Sequence, residues 1–258
     1  MTEIINEKKE KTADVLPWDK PNVAKKDFVL IPLYLLSIHI VPIVIFAIIY
    51  AIAITLNIKN ETMLDTHVIG VFGSIMAEII IIISFVKLYP KVSFIKLSFN
   101  RFKQVPRYIL MIIATYIVII FATPIYEWLI TFFPKSFQYG VTQNQQNLEQ
   151  LFDKRWMYPF LFIDIVILTP FVEELIFRHL IIHELGKKIT YGLATLLSII
   201  IFASIHVINA SSPFEIGGYL IIAIGLSLVY LKSGKNLAVA ITLHSLINFV
   251  SFITIICS

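Results

Sequence analysis

Seven residues in the C-terminal half of the chain have the types and spacing for hydrolytic chemistry. Glu173, Glu174 and Arg178 lie in the stretch TPFVEELIFRHLIIHEL at 169–185, and Phe202 with His206 and His244 with Asn248 follow. A carboxylate and an imidazole facing one water can hold it and take its proton. Imidazole and amide N–H groups aimed at a carbonyl oxygen stabilise the charge that forms there when water adds. Glu173 and His206 suit the first task, and His244 and Asn248 the second. Glu174 and Arg178 are four apart, so on a helix they share a face and pair, while Glu173 projects about 100° away. That pairing would fix the helix and leave Glu173 free for chemistry. Phe202–His206 and His244–Asn248 are also four apart, so each helix aims a two-residue stripe in one direction, with Phe202 shaping the wall. Ser204 and Ser245 point elsewhere on their helices, so a serine nucleophile and a covalent acyl-enzyme are not expected. Glu173, His206 and His244 would also make a three-ligand zinc set, although the sequence holds no H-E-x-x-H.

The elements that must position these groups are membrane helices. The chain of 258 residues is 58% hydrophobic and only 15% charged, against about 25% charged in a soluble domain. Its mean hydropathy is +0.84. The expected fold is all-α: a polytopic transmembrane bundle of about seven spans. The net charge of +4 does not point to nucleic acid, because the lysines and arginines sit in short segments between apolar runs, where they set topology. The one cysteine, Cys257, excludes an internal disulfide and a cysteine metal site, and its position does not fit a C-a-a-X prenylation signal.

Residues 1–27 read as a polar tail, disordered or lying on the surface, and 28–156 as N-terminal transmembrane helices and a loop. The expected spans are Phe28–Ile58 (with Pro32 and Pro42), Val68–Leu88 (with Glu78), Tyr108–Ile130 (with Pro124 and Glu127), Trp156–Ile182, Tyr191–Ile208, Phe214–Leu231 and Leu237–Ile256. A polar loop with an interfacial turn at Leu148–Phe152 separates the third and fourth. Pro170 frees a backbone carbonyl just ahead of the two glutamates. Basic residues number six, six, two and two in the segments before spans one, three, five and seven, and one, three and none in the alternate segments. This bias puts the N-terminus in the cytoplasm and the C-terminus outside a cell membrane. Counting about 1.5 Å per residue from the cytoplasmic ends, Glu173 and Glu174 lie roughly 13 Å deep, His206 roughly 20 Å, and His244 and Asn248 roughly 10 to 16 Å. Three helices thus bring ionisable groups to similar depth. Charges there cost about 2.5–3.5 kcal/mol each on insertion scales and mark function. No role is assigned to Glu78 or Glu127. His39 and His67 read as structural, His183 as solvated, and His179 as a neighbour of the cavity at most.

These motifs resemble a known family. EELIFR at Glu173–Arg178, FASIH at Phe202–His206 and HSLIN at His244–Asn248 are similar, in order and in helix placement, to the EExxxR, FxxxH and HxxxN motifs of the CAAX-protease and bacteriocin-processing family, often called CPBP or Abi. The run GLSLVYLKSGKNLAVAITLH is also similar. The resemblance covers about 157–250 and implies a catalytic core over 157–256, in the C-terminal four spans. It implies an intramembrane endopeptidase in which Glu173 and His206 act on the water, His244 and Asn248 form the oxyanion hole, and Glu174 and Arg178 support them. It favours a mechanism with no metal or other cofactor. The implied partners are the lipid bilayer and a peptide or membrane-protein substrate, such as a leader-bearing bacteriocin, a peptide pheromone or another membrane-bound peptide. The rival expectations are a non-catalytic relative that gives bacteriocin self-immunity or regulates a partner, and a proton-coupled transporter. No internal repeat supports the transporter.

Overall fold

The structure is a computed structural model and describes residues 16–56 and 65–257. The first part of the expected polar tail (1–15), the end of the first expected span and the loop lysine Lys59 lie outside the described residues.

The described chain is all-helical. Helices α1 (Leu30–Thr55) and α2 (Thr66–Leu88) form an antiparallel pair. Pro42 lies inside α1 and rests on Gly73 of α2, where a Cβ would sit only 2.6 Å from the ring. A short amphipathic helix α3 (Phe94–Phe102) precedes α4 (Ile109–Ile130). The polar loop carries α5 (Gln143–Gln150), a helix where only an interfacial turn was expected. A continuous helix α6 (158–189) follows, then α7 (Tyr191–Ile205), α8 (Ile216–Lys232) and α9 (Leu237–Cys257).

Five helical stretches are long and apolar enough to cross a membrane: Lys25–Thr55, Thr66–Leu88, Phe94–Ile130, Pro213–Lys232 and Leu237–Cys257. Many large apolar side chains on α1 and α4 are exposed, which is the surface a helix presents to lipid. The other two expected spans differ in kind. Helix α6 carries Asp164, Glu173, Glu174 and Arg178, all buried in the bundle. Helix α7 ends at Ile205 after 15 residues, about 22 Å of rise against a hydrocarbon core of about 30 Å. His206 therefore sits at the helix end and not inside a longer span.

Helix α6 is where the fold positions the site. Its α-helical turn Thr169–Glu174 lies between two π-helical stretches, Phe162–Leu168 and Leu175–Leu185. Wide π turns are rare and concentrate at functional sites. Proline explains part of the interruption: Pro170 has no N–H to give to the carbonyl five residues back, that of Ile165. A single residue, Thr190, turns the chain from α6 into α7 with φ of 93°, an uncommon conformation for a β-branched side chain. The turn is so tight that α7 packs directly back on α6. Ser198 of α7 donates to the Phe177 carbonyl at 2.9 Å. Helix α8 packs on α7 and α4, and Gly217 permits the α4 contact: a Cβ there would meet the Tyr126 ring at 1.9 Å.

The basic segments gather at one end of the bundle. Lys187 donates to the Trp18 carbonyl at 2.7 Å, Asn236 to the Arg101 carbonyl at 3.2 Å, and Lys235 lies 3.6 Å over the Tyr191 ring. At the opposite end Lys154 pairs with Asp65, the backbone N–H of Gln143 donates to Glu215 at 2.7 Å, and Tyr126 donates to the Phe214 carbonyl at 2.8 Å.

Residues 16–27 are packed, contrary to the expected free tail. Trp18 is buried against Phe85, Tyr89, Phe94 and His179. Asp27 is fully buried and accepts from Tyr89 Oη and from His179 Nε2, the latter at 2.9 Å. Glu184 accepts from the Ala24 N–H and from Lys187, each at 2.6 Å. His179 thus holds the N-terminal segment on α6. Asp27→Ala is expected to leave two buried donors without an acceptor, at about 1–3 kcal/mol each. Limited proteolysis in lipid should then cut within 16–29 well before the wild type is cut there.

Candidate active site

The EExxxR, FxxxH and HxxxN stripes meet in the middle of α6, α7 and α9. Arg178 and Glu174 are fully buried and pair at 2.9 Å through Arg178 Nη1 and Glu174 Oε1. Arg178 Nη2 donates to the Ala223 carbonyl of α8 at 3.4 Å. Its guanidinium lies 5.0 Å from the Phe202 ring centre, near the reach of a cation–π contact. His244 Nδ1–H donates to the same Glu174 Oε1 at 2.9 Å. One glutamate oxygen therefore joins α6 and α9, and the arginine adds α8.

Glu173 stands between the two histidines. Its Oε1 is 3.9 Å from His206 Nε2, and its Oε2 is 3.7 Å from His244 Nε2. Glu173 and Glu174 do leave α6 in different directions, but His244 reaches both, one with each ring nitrogen. His206 Nδ1 is 2.8 Å from the Phe202 carbonyl. A carbonyl only accepts, so this nitrogen carries the proton, and the lone pair of a neutral ring lies on Nε2, facing Glu173. Carboxylate and imidazole thus offer two acceptors at a separation too long for direct bonding. A water donating about 2.8 Å to each would bridge it with its oxygen lone pairs turned outward. Glu173 Oε2 is buried with no hydrogen-bond donor, a cost that calls for an explanation. A reacting group or a second proton on His244 would supply that donor.

Phe202 does more than line a wall. Its ring centre is 4.5 Å from that of His206 and 5.9 Å from that of His244, so it separates and orients both. Tyr219 of α8 stacks on the other side of His206 at 4.8 Å, and its hydroxyl is 3.3 Å from Thr142 in the polar loop. Nothing in the sequence singles out Tyr219, one of 11 tyrosines. Asn248 has another partner than expected: Nδ2 donates to the Ile165 carbonyl at 2.8 Å. That is the carbonyl Pro170 leaves without a π-helical donor. One amide hydrogen of Asn248 is thereby committed to holding α6 against α9, and the other is left for substrate.

As the side chains stand, the ligand atoms of Glu173, His206 and His244 are not gathered within 4.8 Å of one another. Among the described residues the set gathered so closely is His179, His183 and Glu184, nearer the basic end. There Glu184 is already occupied by Lys187 and Ala24, and His179 by Asp27.

A cavity of about 990 Å³ opens at the basic end. Its walls include Phe85, Phe94, Phe102, His179 and His183, and Lys20, Arg101, Lys187 and Lys235 also border it. His183, expected to be simply solvated, is half-buried there. Phe171, Leu175 and Ile241 line it too. The first two flank the glutamate pair in sequence, and Ile241 lies one turn before His244.

The comparison with protein families falls on these same helices. Residues 155–250 match the family described as type II CAAX prenyl endopeptidase Rce1-like. This core belongs to the CAAX-protease family. The match begins at the start of α6 and runs through α9 to just beyond Asn248, so the CAAX-protease core contains every residue of the constellation and none of α1 to α5. It is a family of proteases. No curated protein and no solved structure matches the chain.

Proposed function

We propose that the chain is an intramembrane endopeptidase that hydrolyses peptide bonds with water held between Glu173 and His206. The observation that carries this reading is the position of Glu173. It lies between two imidazoles at 3.7 and 3.9 Å, with one buried oxygen unsatisfied, while Glu174 is tied up by Arg178 and His244. Glu173 takes a proton from the water as its oxygen attacks the scissile carbonyl. The charge that develops on the carbonyl oxygen meets Nε2–H of a doubly protonated His244, which Glu174 supports, and the free amide hydrogen of Asn248. Glu173 then returns the proton to the leaving amine, so the cycle closes with no covalent intermediate. The separation of the Glu173, His206 and His244 ligand atoms supports a mechanism without metal.

The substrate on this reading is a peptide or membrane-associated protein whose chain enters through the cavity at the basic end. That end faces the cytoplasm by the charge bias of its loops, in a cell membrane. Candidate substrates are bacteriocin precursors, peptide pheromones and short membrane peptides. The test compares secreted and membrane peptides by mass spectrometry between wild-type cells and cells carrying Glu173→Gln at equal protein level. The reading expects a precursor to accumulate, and its shortened product to vanish, in the variant. Identical peptide sets, with any phenotype of the gene intact in the variant, would favour a non-catalytic role in self-immunity or partner regulation.

A further inference from the structure

Glu78 of α2 and Asp164 of α6 are both more than nine-tenths buried. Thr169 Oγ1 donates to Glu78 Oε1 at 2.7 Å, and the Ser74 hydroxyl bonds to Asp164. The two carboxyl groups are also hydrogen-bonded to each other. An ionised carboxyl group only accepts hydrogen bonds, so a bond between two of them requires a proton on one. Each acid also keeps one buried oxygen that no protein donor reaches, Glu78 Oε2 and Asp164 Oδ1. Two bare carboxylates so close, away from water, repel each other and lack solvation; one proton between them removes both penalties.

We propose that Glu78 and Asp164 form a proton-binding site, in which one proton shared by the two carboxyl groups leaves the pair with a single negative charge beside the Glu173 centre. The groups that face the pair are Tyr34 of α1, Ser74 of α2, and Thr169 and Glu173 of α6. Thr169 precedes Glu173 by four residues within one α-helical segment, so both lie on one face of α6 and the pair stands about a turn away from Glu173. Helix α2 lies outside the 155–250 core, and this site joins it to the polar interior of that core. The site stands on the geometry of the two acids and does not depend on whether the chain cleaves peptides.

Infrared spectroscopy of the full chain in lipid at neutral pH tests it, by the C=O stretch of a protonated carboxyl group and its shift on deuteration. The wild type is expected to show this band, Glu173→Gln to keep it, and the double variant Glu78→Gln/Asp164→Asn to lose it. Should the double variant not fold, each single variant must shift or lose the band, because each changes the partner of the remaining carboxyl. A wild type without the band, or variants whose spectra match the wild type, would overturn the proposal. So would a wild type that lacks the band and gains thermal stability from added sodium, since a metal cation would then occupy the proton's place.

Discussion

Glu173→Gln is expected to lower peptide cleavage by about 10²–10⁴-fold, the range that general acid–base groups contribute, while the protein stays folded. The substitution keeps the shape of the side chain and removes its charge and basicity. Glu173 makes no hydrogen bond that holds the bundle together; its nearest polar neighbours are the His206 and His244 nitrogens at 3.9 and 3.7 Å. An amide there can donate to His206 Nε2 or to His244, and it relieves a carboxylate oxygen that is buried without a donor. The thermal midpoint in lipid should therefore hold or rise as activity falls. Cleavage rate and unfolding midpoint, measured on one preparation, check both halves. A parallel loss of both would make Glu173 a structural residue.

Arg178→Leu is expected to do the opposite: destabilise by about 3–5 kcal/mol, the cost of removing one partner of a buried ion pair. The total stability of a domain is about 5–15 kcal/mol, so much of the protein should fail to fold. The cause lies in what Arg178 holds. It neutralises Glu174, bonds the Ala223 carbonyl and faces the Phe202 ring. Its loss leaves the fully buried Glu174 with only His244. Arg178→Lys keeps the charge but lacks the planar fork that serves several partners at once, so an intermediate loss is expected. Glu174→Gln together with Arg178→Met removes the uncompensated charge and should recover part of the stability, without recovering full activity, because His244 loses its carboxylate. Unfolding midpoints of the three variants in lipid nanodiscs check the order.

The parts of the site that the sequence made legible are those with a local geometric rule. Glu174 and Arg178 at four-residue spacing pair on one helix, and the rule survives although Arg178 lies in a π stretch. The one-residue turn at Thr190 could not be read, yet the order of motifs on successive helices already demanded that His206 return to Glu173. What escaped depends on contacts between distant segments. Asp27 sits among lysines at the end of a polar tail, and nothing local indicates that it folds 152 positions forward onto His179. Asn248 looks like a pure oxyanion donor until Pro170 is seen to deprive the Ile165 carbonyl of its partner. Glu78 has no motif around it, and its partners Thr169 and Asp164 become visible only when α2 packs on α6. The span count was read from apolarity alone, which serves α1, α2, α4, α8 and α9. It does not settle α6, whose buried charges satisfy one another inside the protein, or α7, which is too short to span the core unaided.

The central claim is that Glu173 activates water without a metal. Its most direct test is cleavage of a peptide library by the purified full chain in lipid nanodiscs after exhaustive chelation, with residual metal measured on the same sample. The account predicts cleavage at an unchanged rate with metal far below one ion per chain, and none from Glu173→Gln. Cleavage that stops on chelation and returns with added zinc, or that Glu173→Gln performs as well as the wild type, would contradict it.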